Sequence, residues 1–179
     1  MKPTITLREF SVENDSLNEL TTLLHRSYGS LAQMGLRFLA TYQDEATTLE
    51  RISEGECYVA LVEDRLVGTV VFRSAAKTSG SPWFDRQDVS SFGQFAVEPE
   101  FQGGGIGSAL LDLVEQRARD TGAKEIALDT AEPAEHLIQM YASKGYRFIE
   151  HVQWGVTNYR SVVMSKALGS EFTLRKDIS

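Results

Sequence analysis

Between Gln102 and Ser108, glycine occupies four of five consecutive positions: Gly103, Gly104, Gly105 and Gly107. Each loses more conformational freedom on folding than alanine would, by roughly 0.5–1 kcal/mol. Such a run marks a place where bare backbone is needed, because it offers N–H groups that a ligand reaches without a Cβ in the way. The apolar residues that follow, Ile106, Leu110, Leu113, Val114 and Ala118, step by three and four, as one face of a helix does. The glycines therefore open a helix. Its first amides lack internal partners, and its dipole is positive at that end. The chemistry this fits is capture of an anion, most naturally a phosphate or pyrophosphate.

Two other phosphate loops fail. A P-loop requires Lys followed by Ser or Thr after the last glycine, and Gly107 is followed by Ser108-Ala109. A dinucleotide fingerprint started at Gly103 or Gly105 meets Ser108 or Leu110 at its third glycine position. The elements that must hold the loop are legible on both sides. Phe92 to Val97 is apolar and aromatic, as a buried strand is, and Glu98-Pro99 ends it because proline has no N–H for the ladder. The helix ends at Thr121-Gly122, with Arg117 and Arg119 in the last turns, where cations suit the dipole. Glu125 to Thr130 is the next strand, so strand, helix and strand imply a parallel pair with a right-handed crossover. His136 to Ser143 is helical, and Gly145 after Lys144 is its C-cap.

Gln102-x-x-Gly105-x-Gly107 resembles the Gln/Arg-x-x-Gly-x-Gly/Ala signature of the GNAT superfamily of N-acetyltransferases. Phe95-Ala-Val97-Glu-Pro-Glu-Phe101 before it is similar to that family's fourth strand. The resemblance implies that the amides of Gln102, Gly103, Gly104, Gly105, Ile106, Gly107 and Ser108 hold the pyrophosphate of acetyl-CoA. It implies that the backbone of Phe95, Ala96 and Val97 runs beside the pantetheine. Met140-Tyr141-Ala-Ser-Lys-Gly145-Tyr146 resembles a second GNAT element, in which the tyrosine hydroxyl points at the thioester sulfur. Tyr141 is thereby expected to protonate the leaving thiolate; otherwise it packs the helix on the sheet. Two positions depart from the family. Ala134 stands where many members have an Asn that contacts the cofactor, and Ser91 stands near the place of a general-base Glu. Asp129, Glu98, His136 and His151 are the other candidates; lone histidines are more often surface or structural and are left out, and Asp129 has the best place, because ligands collect outside the carboxyl ends of parallel strands. A base is dispensable if water relays the proton. Gln94 is a substrate-side candidate on the face of the sheet away from the cofactor cleft.

The rest of the chain supplies scaffold and pocket. Thr4 to Phe10 alternates as a first strand. Asn14-Asp15-Ser16 offers N-caps for a helix through Leu17, Leu20 and Leu24 that breaks at Tyr28-Gly29-Ser30. A second helix over Leu31 to Ala40 and a third near Asp44 to Ser53 follow. Tyr28, Phe38 and Tyr42 read as core before they read as pocket lining. Glu56 to Glu63 and Leu66 to Arg73 form a hairpin, with Gly68 marking a bulge or a close approach. In the polar connection from Ser74 to Ser90, Trp83 and Phe84 suit a substrate lid and a core anchor equally. Tyr146 to Trp154 and Ser161 to Leu168 are closing strands. His151, Trp154 and Tyr159 suit the border of an acceptor pocket or a homodimer contact. Residues 169–179 are a polar tail.

At 179 residues with a net charge of −7, the chain reads as one domain, 1–179, with its core in about 4–168. The acidic balance argues against nucleic acid and mildly favours a cationic acceptor. No apolar run is long enough for a membrane span, and no signal segment opens the chain. The one cysteine, Cys57, fits a reducing, cytoplasmic setting, reads as a packed thiol, and leaves no cysteine-based metal site. The expected fold is mixed α/β. It has a mostly antiparallel sheet of about seven strands, a parallel, splayed pair at the cofactor cleft, and flanking helices. The expected activity is direct acetyl transfer from acetyl-CoA to a primary amine of a small molecule or peptide, without metal. The alternative is a non-catalytic acyl-CoA sensor of the same fold. The acceptor itself is not legible.

Overall fold

Seven strands form one sheet in the order β1-β2-β3-β4-β5-β7-β6 in the computed structural model, which describes residues 2–169. The strands are β1 Ile5–Glu9, β2 Glu56–Val62, β3 Arg65–Arg73, β4 Val89–Val97, β5 Glu125–Ala131, β6 Arg147–Val152 and β7 Ser161–Ala167. The helices are α1 Leu17–Gln33, α2 Leu39–Tyr42, α3 Glu45–Ser53, α4 Ile106–Asp120 and α5 Glu135–Ser143. Every pairing is antiparallel except β4 with β5, as the mixed α/β reading requires. The tail beyond residue 169 lies outside the described residues. Among the described residues no helix is long and apolar enough to cross a membrane.

The parallel pair holds only from Val89–Glu125 to Ser91–Ala127 and then parts. A bulge in β4 lies beside the parting. Thr69 pairs with Ala96 and Val71 with Gly93, so Gln94 and Phe95 together oppose Val70. Gln94 takes φ 46°, a left-handed backbone that costs a side-chain-bearing residue about 1–3 kcal/mol. Such a bulge bends the strand and increases its twist. The far half of β4 thereby turns away from β5 and opens a cleft between them.

α4 is pressed against β3, and this fixes where its N-terminus points. A Cβ on Gly68 would lie 3.0 Å from Ile106 Cγ2 and 3.1 Å from Leu110 Cδ1. Gly68 therefore serves a close approach, beside a register shift at Ala60/Leu61. The buried face of α4 includes Ile106, Leu110, Leu111, Val114 and Ala118, and Leu113 packs against it half-buried, so Leu111 joins the face read from the sequence.

The N-terminal helices differ from expectation. α1 is capped by Ser16, whose Oγ accepts from Glu19 N, and it runs unbroken through Tyr28-Gly29-Ser30 to Gln33. One glycine costs a helix about 1 kcal/mol, whereas burying a leucine side chain such as Leu31 stabilises by about 1.5–3 kcal/mol. Packing wins. Gly35, with φ 79°, ends α1, and Leu36 N returns to Leu31 O at 3.1 Å. The expected second helix shrinks to α2. Asp44 caps α3 through Thr47 N at 2.8 Å.

In the connection before β4, Phe84 is buried and stacks on Trp154 with 6.4 Å between centroids, while Arg86 covers Trp83 at 4.3 Å. The pair anchors the loop to the sheet. Cys57 is a packed thiol whose burial pushes its pKa up to about 11.

Candidate active site

The glycine loop has the backbone geometry that its composition demands. Gly103 and Gly105 take φ 82° and 91°, conformations that side-chain-bearing residues rarely adopt. Gly105 is the N-cap of α4 and offers no side-chain cap of its own. Among the described residues, the amides from Gly103 to Ser108 donate to no backbone carbonyl. They stand unpaired at the positive end of a four-turn helix, a ready anion site. Gln102 clips the loop to the strand end, donating from Nε2 to Val97 O at 3.2 Å. Lys144 was not anticipated. It follows α5 and donates from Nζ to Ser108 Oγ at 2.9 Å, which brings a cation to the loop.

The loop forms one end of an open cleft with two arms. The cofactor-side arm, about 620 Å³, is walled by Phe95, Ala96, Val97, Gln102, Gly103, Gly105, Gly107 and Ser108 among others. Gly104 and Ile106 are not in its wall. Ile106 buries its side chain in the core, so only its amide is available to a ligand. The second arm, about 700 Å³, runs to the other side of the sheet, and Gln94, Ser91, Trp154 and Tyr159 line it. The arms meet at Tyr28, Phe38, Phe95, Asp129 and Tyr141, which belong to both walls. Tyr28 and Phe38 pack against the core, as read from the sequence, and also line the cleft. Tyr28 donates its hydroxyl to Phe95 O at 3.1 Å, from a helix whose length the sequence did not reveal.

Asp129 and Tyr141 both stand in the wall where the two arms join. The Asp129 side chain faces the lumen, yet the cleft walls surround it. That burial pushes its carboxyl above the usual range, while the indole of Trp154, donating to Oδ2 at 2.9 Å, and the nearby Arg73 and Arg51 partly offset it. Tyr141 is held edge-on between Phe92 and Tyr146, with centroids at 6.2 and 5.9 Å. Burial raises its pKa far above the ordinary tyrosine range, so its phenol stays protonated near neutrality, and among the described residues its hydroxyl has no hydrogen-bond partner.

Of the other base candidates, Glu98 and His151 are engaged elsewhere. Glu98 is buried and takes a bidentate ion pair from Arg26 at 2.8 and 2.7 Å. His151 pairs with Glu132 at 2.7 Å and stands in the wall of neither arm. His136 stands in the wall of the cofactor-side arm. Ser91 shares its hydroxyl with Thr78 at 2.8 Å. Ala134 is fully buried as the N-cap of α5.

A sheet parted over a helix end with unpaired amides, with a carboxyl and a phenol where the two arms join, suits group transfer between a long anionic donor and a second substrate. The chain belongs to the GNAT acetyltransferase family, since the family described as Acetyltransferase (GNAT) matches residues 17–146, beginning well before the part in which the resemblance was legible. It is an acyltransferase. It is 34% identical over 148 residues to S-(2-succino)cysteine N-acetyltransferase of Bacillus subtilis (strain 168), covering 82% of this chain and 85% of that protein. It is 26% identical over 138 residues to S-alkylcysteine N-acetyltransferase of the same organism, with 74% of each covered. Among solved structures, a GNAT family acetyltransferase from Elizabethkingia anophelis with acetyl-CoA bound aligns at a TM-score of 0.64 and 17% identity, over 92% of this chain and 98% of that one.

Proposed function

We propose that this chain transfers an acetyl group from acetyl-CoA directly to the amine of a small amino acid, with S-substituted cysteines the first class to consider. The observation that carries the reading is the junction. Asp129 and Tyr141 stand where an arm suited to a pyrophosphate-bearing donor meets an arm open to a second substrate. The two Bacillus relatives are named for cysteine derivatives, which supports the acceptor class.

Acetyl-CoA supplies an acyl group whose thiolate leaves as the acceptor nitrogen adds. The unpaired amides from Gly103 to Ser108 and the Lys144 ammonium bind its phosphates. The backbone of Phe95 to Val97, released from β5, runs along the cofactor-side arm and positions its chain. Asp129, directly or through one water, takes the proton that the ammonium of the acceptor must lose. Tyr141 holds the proton that the departing sulfur needs. As the C–N bond forms, the nitrogen sheds its second proton, which restores the Tyr141 phenol; the balance closes with one N-acetyl product, one free thiol and the proton that Asp129 passes to solvent. The lone, buried Cys57 suits a reducing compartment, and the cytoplasm is the location we assign.

Calorimetric titration tests the donor. Saturable binding of acetyl-CoA and CoA is expected, with NAD and ATP much weaker. Gly105→Val is expected to weaken acetyl-CoA binding about tenfold or more. A β-branched residue at φ 91° costs roughly 1–2 kcal/mol and shifts the amides that it helps aim. Tighter binding of NAD or ATP than of acetyl-CoA would remove the donor assignment.

A further inference from the structure

The acceptor arm holds more positive charge than its own carboxylates meet. Arg51 reaches it from α3 and Arg73 from the end of β3. The two guanidiniums are close enough for Arg73 to add to the burial that depresses the pKa of Arg51. Arg73 has Glu54 at 3.1 Å and donates from Nε to Ser91 Oγ at 3.3 Å. Arg51 has no carboxylate within ion-pair distance among the described residues, although Glu54 and Asp129 act on it from further off. It donates from Nη1 to a neutral acceptor, Gln43 Oε1, at 2.6 Å. Holding a guanidinium out of bulk water beside another cation is costly unless an anion joins them.

The surroundings are built to keep these donors aimed. A guanidinium only donates, so Gln43 must turn Oε1 to Arg51 and Nε2 away. Gln43 Nε2 then donates to Gln94 Oε1 at 2.8 Å. That fixes the amide of Gln94, whose own Nε2 is buried without an acceptor in the wall of the arm. Gln94 is the residue held at φ 46°, and strain of this kind persists where the surroundings over-determine it. Next to it, a Cβ on Gly93 would lie 2.6 Å from Arg73 Nη2, so glycine there lets the guanidinium lie across β4. A packing role alone would need neither two guanidiniums nor an orphaned amide.

We propose that Arg51 and Arg73, with Gln94 behind them, form a carboxylate receptor in the acceptor arm. The acceptor is then an amino acid whose carboxylate is held there while its amine faces Asp129. This rests on the acetyl-transfer reading above and names the substrate class of the same site. Asp129 at the junction and two arginines in the arm complement a zwitterion, and a plain amine leaves Arg51 without a carboxylate partner. The receptor fits a carboxylate on the α-carbon or one on the side-chain substituent.

The test compares wild type with Arg51→Gln and Arg51→Lys on four acceptors. These are a cysteine thioether with an acidic substituent, one with an alkyl substituent, the amide of the latter, and the matching amine without any carboxylate. Arg51→Gln is expected to raise KM for the carboxylate-bearing acceptors roughly tenfold to a hundredfold, the range for a lost hydrogen bond to a charged group. On the carboxylate-free amine it should change kcat/KM only a few-fold, and Arg51→Lys should recover part of the loss. Acetyl-CoA affinity, unchanged, shows that the variants are folded. A loss confined to the acidic thioether assigns the receptor to the substituent, and a loss on both thioethers assigns it to the α-carboxylate. Equal use of all four acceptors by wild type, or equal losses on all four in Arg51→Gln, overturns the receptor and leaves acetyl transfer standing. Acetylation of none of them, nor of any other amine, overturns the transfer reading and the receptor with it.

Discussion

Tyr141→Phe is expected to lower kcat by about a hundredfold to a thousandfold, the scale of losing one positioned proton donor to a leaving group. The Kd for acetyl-CoA should stay within about twofold, a change too small to signal a lost hydrogen bond. The variant keeps the ring between Phe92 and Tyr146, so packing is preserved and the hydroxyl alone is removed. A raised pKa keeps that hydroxyl protonated through the working range, which a proton donor requires. Tyr28 is the control. Burial pushes its pKa up to about 12, but its proton is already engaged by Phe95 O. Tyr28→Phe is therefore expected to cost much less turnover. Pre-steady-state release of CoA, followed with a thiol reagent, reads both variants. Turnover of Tyr141→Phe equal to wild type on a good acceptor would refute the assigned role.

Asp129→Asn is expected to lower kcat/KM by about 10²- to 10⁴-fold, the usual weight of general-base catalysis. The pH profile gives the sharper signature. Asp129 must be ionised to accept a proton, so the rate rises with pH as its carboxyl deprotonates. Burial sets that limb above the ordinary carboxylate range. In Asp129→Asn the limb should vanish, leaving only the limb due to the acceptor amine. Arg51 and Arg73 favour the ionised form, so Arg51→Gln should move the Asp129 limb to higher pH. A limb unchanged in Asp129→Asn would show that the base lies elsewhere or that water alone carries the proton.

The parts of this site that were legible in the sequence are the local ones. A glycine run before an amphipathic helix announces itself within about twenty residues of chain, and its backbone requirement is visible at Gly103 and Gly105. The Tyr141 to Gly145 turn is equally local. The strand segments were legible from alternation and the parallel pair from one crossover, but the order across the sheet, with β7 between β5 and β6, was not. What was not legible depends on distant partners. The bulge at Gln94 exists only in the register of β4 against β3. Arg51 lies on a short polar helix where an arginine is unremarkable, and only the fold brings it into the arm. The length of α1, and with it the place of Tyr28, was decided by leucine packing that outweighed one glycine. Lys144 stood beside a C-cap glycine and read as punctuation, although its ammonium reaches Ser108 across about 36 residues of chain.

The most direct test mixes the protein with acetyl-CoA and a panel of amines, including S-substituted cysteines. It follows CoA release and the mass of each amine together. The account predicts little release without acceptor, no acetylated protein, and release matched one-for-one by an N-acetyl amino acid. Acetyl-CoA binding with no acetylated amine anywhere in the panel, or an acetylated protein formed before acceptor is added, would contradict it.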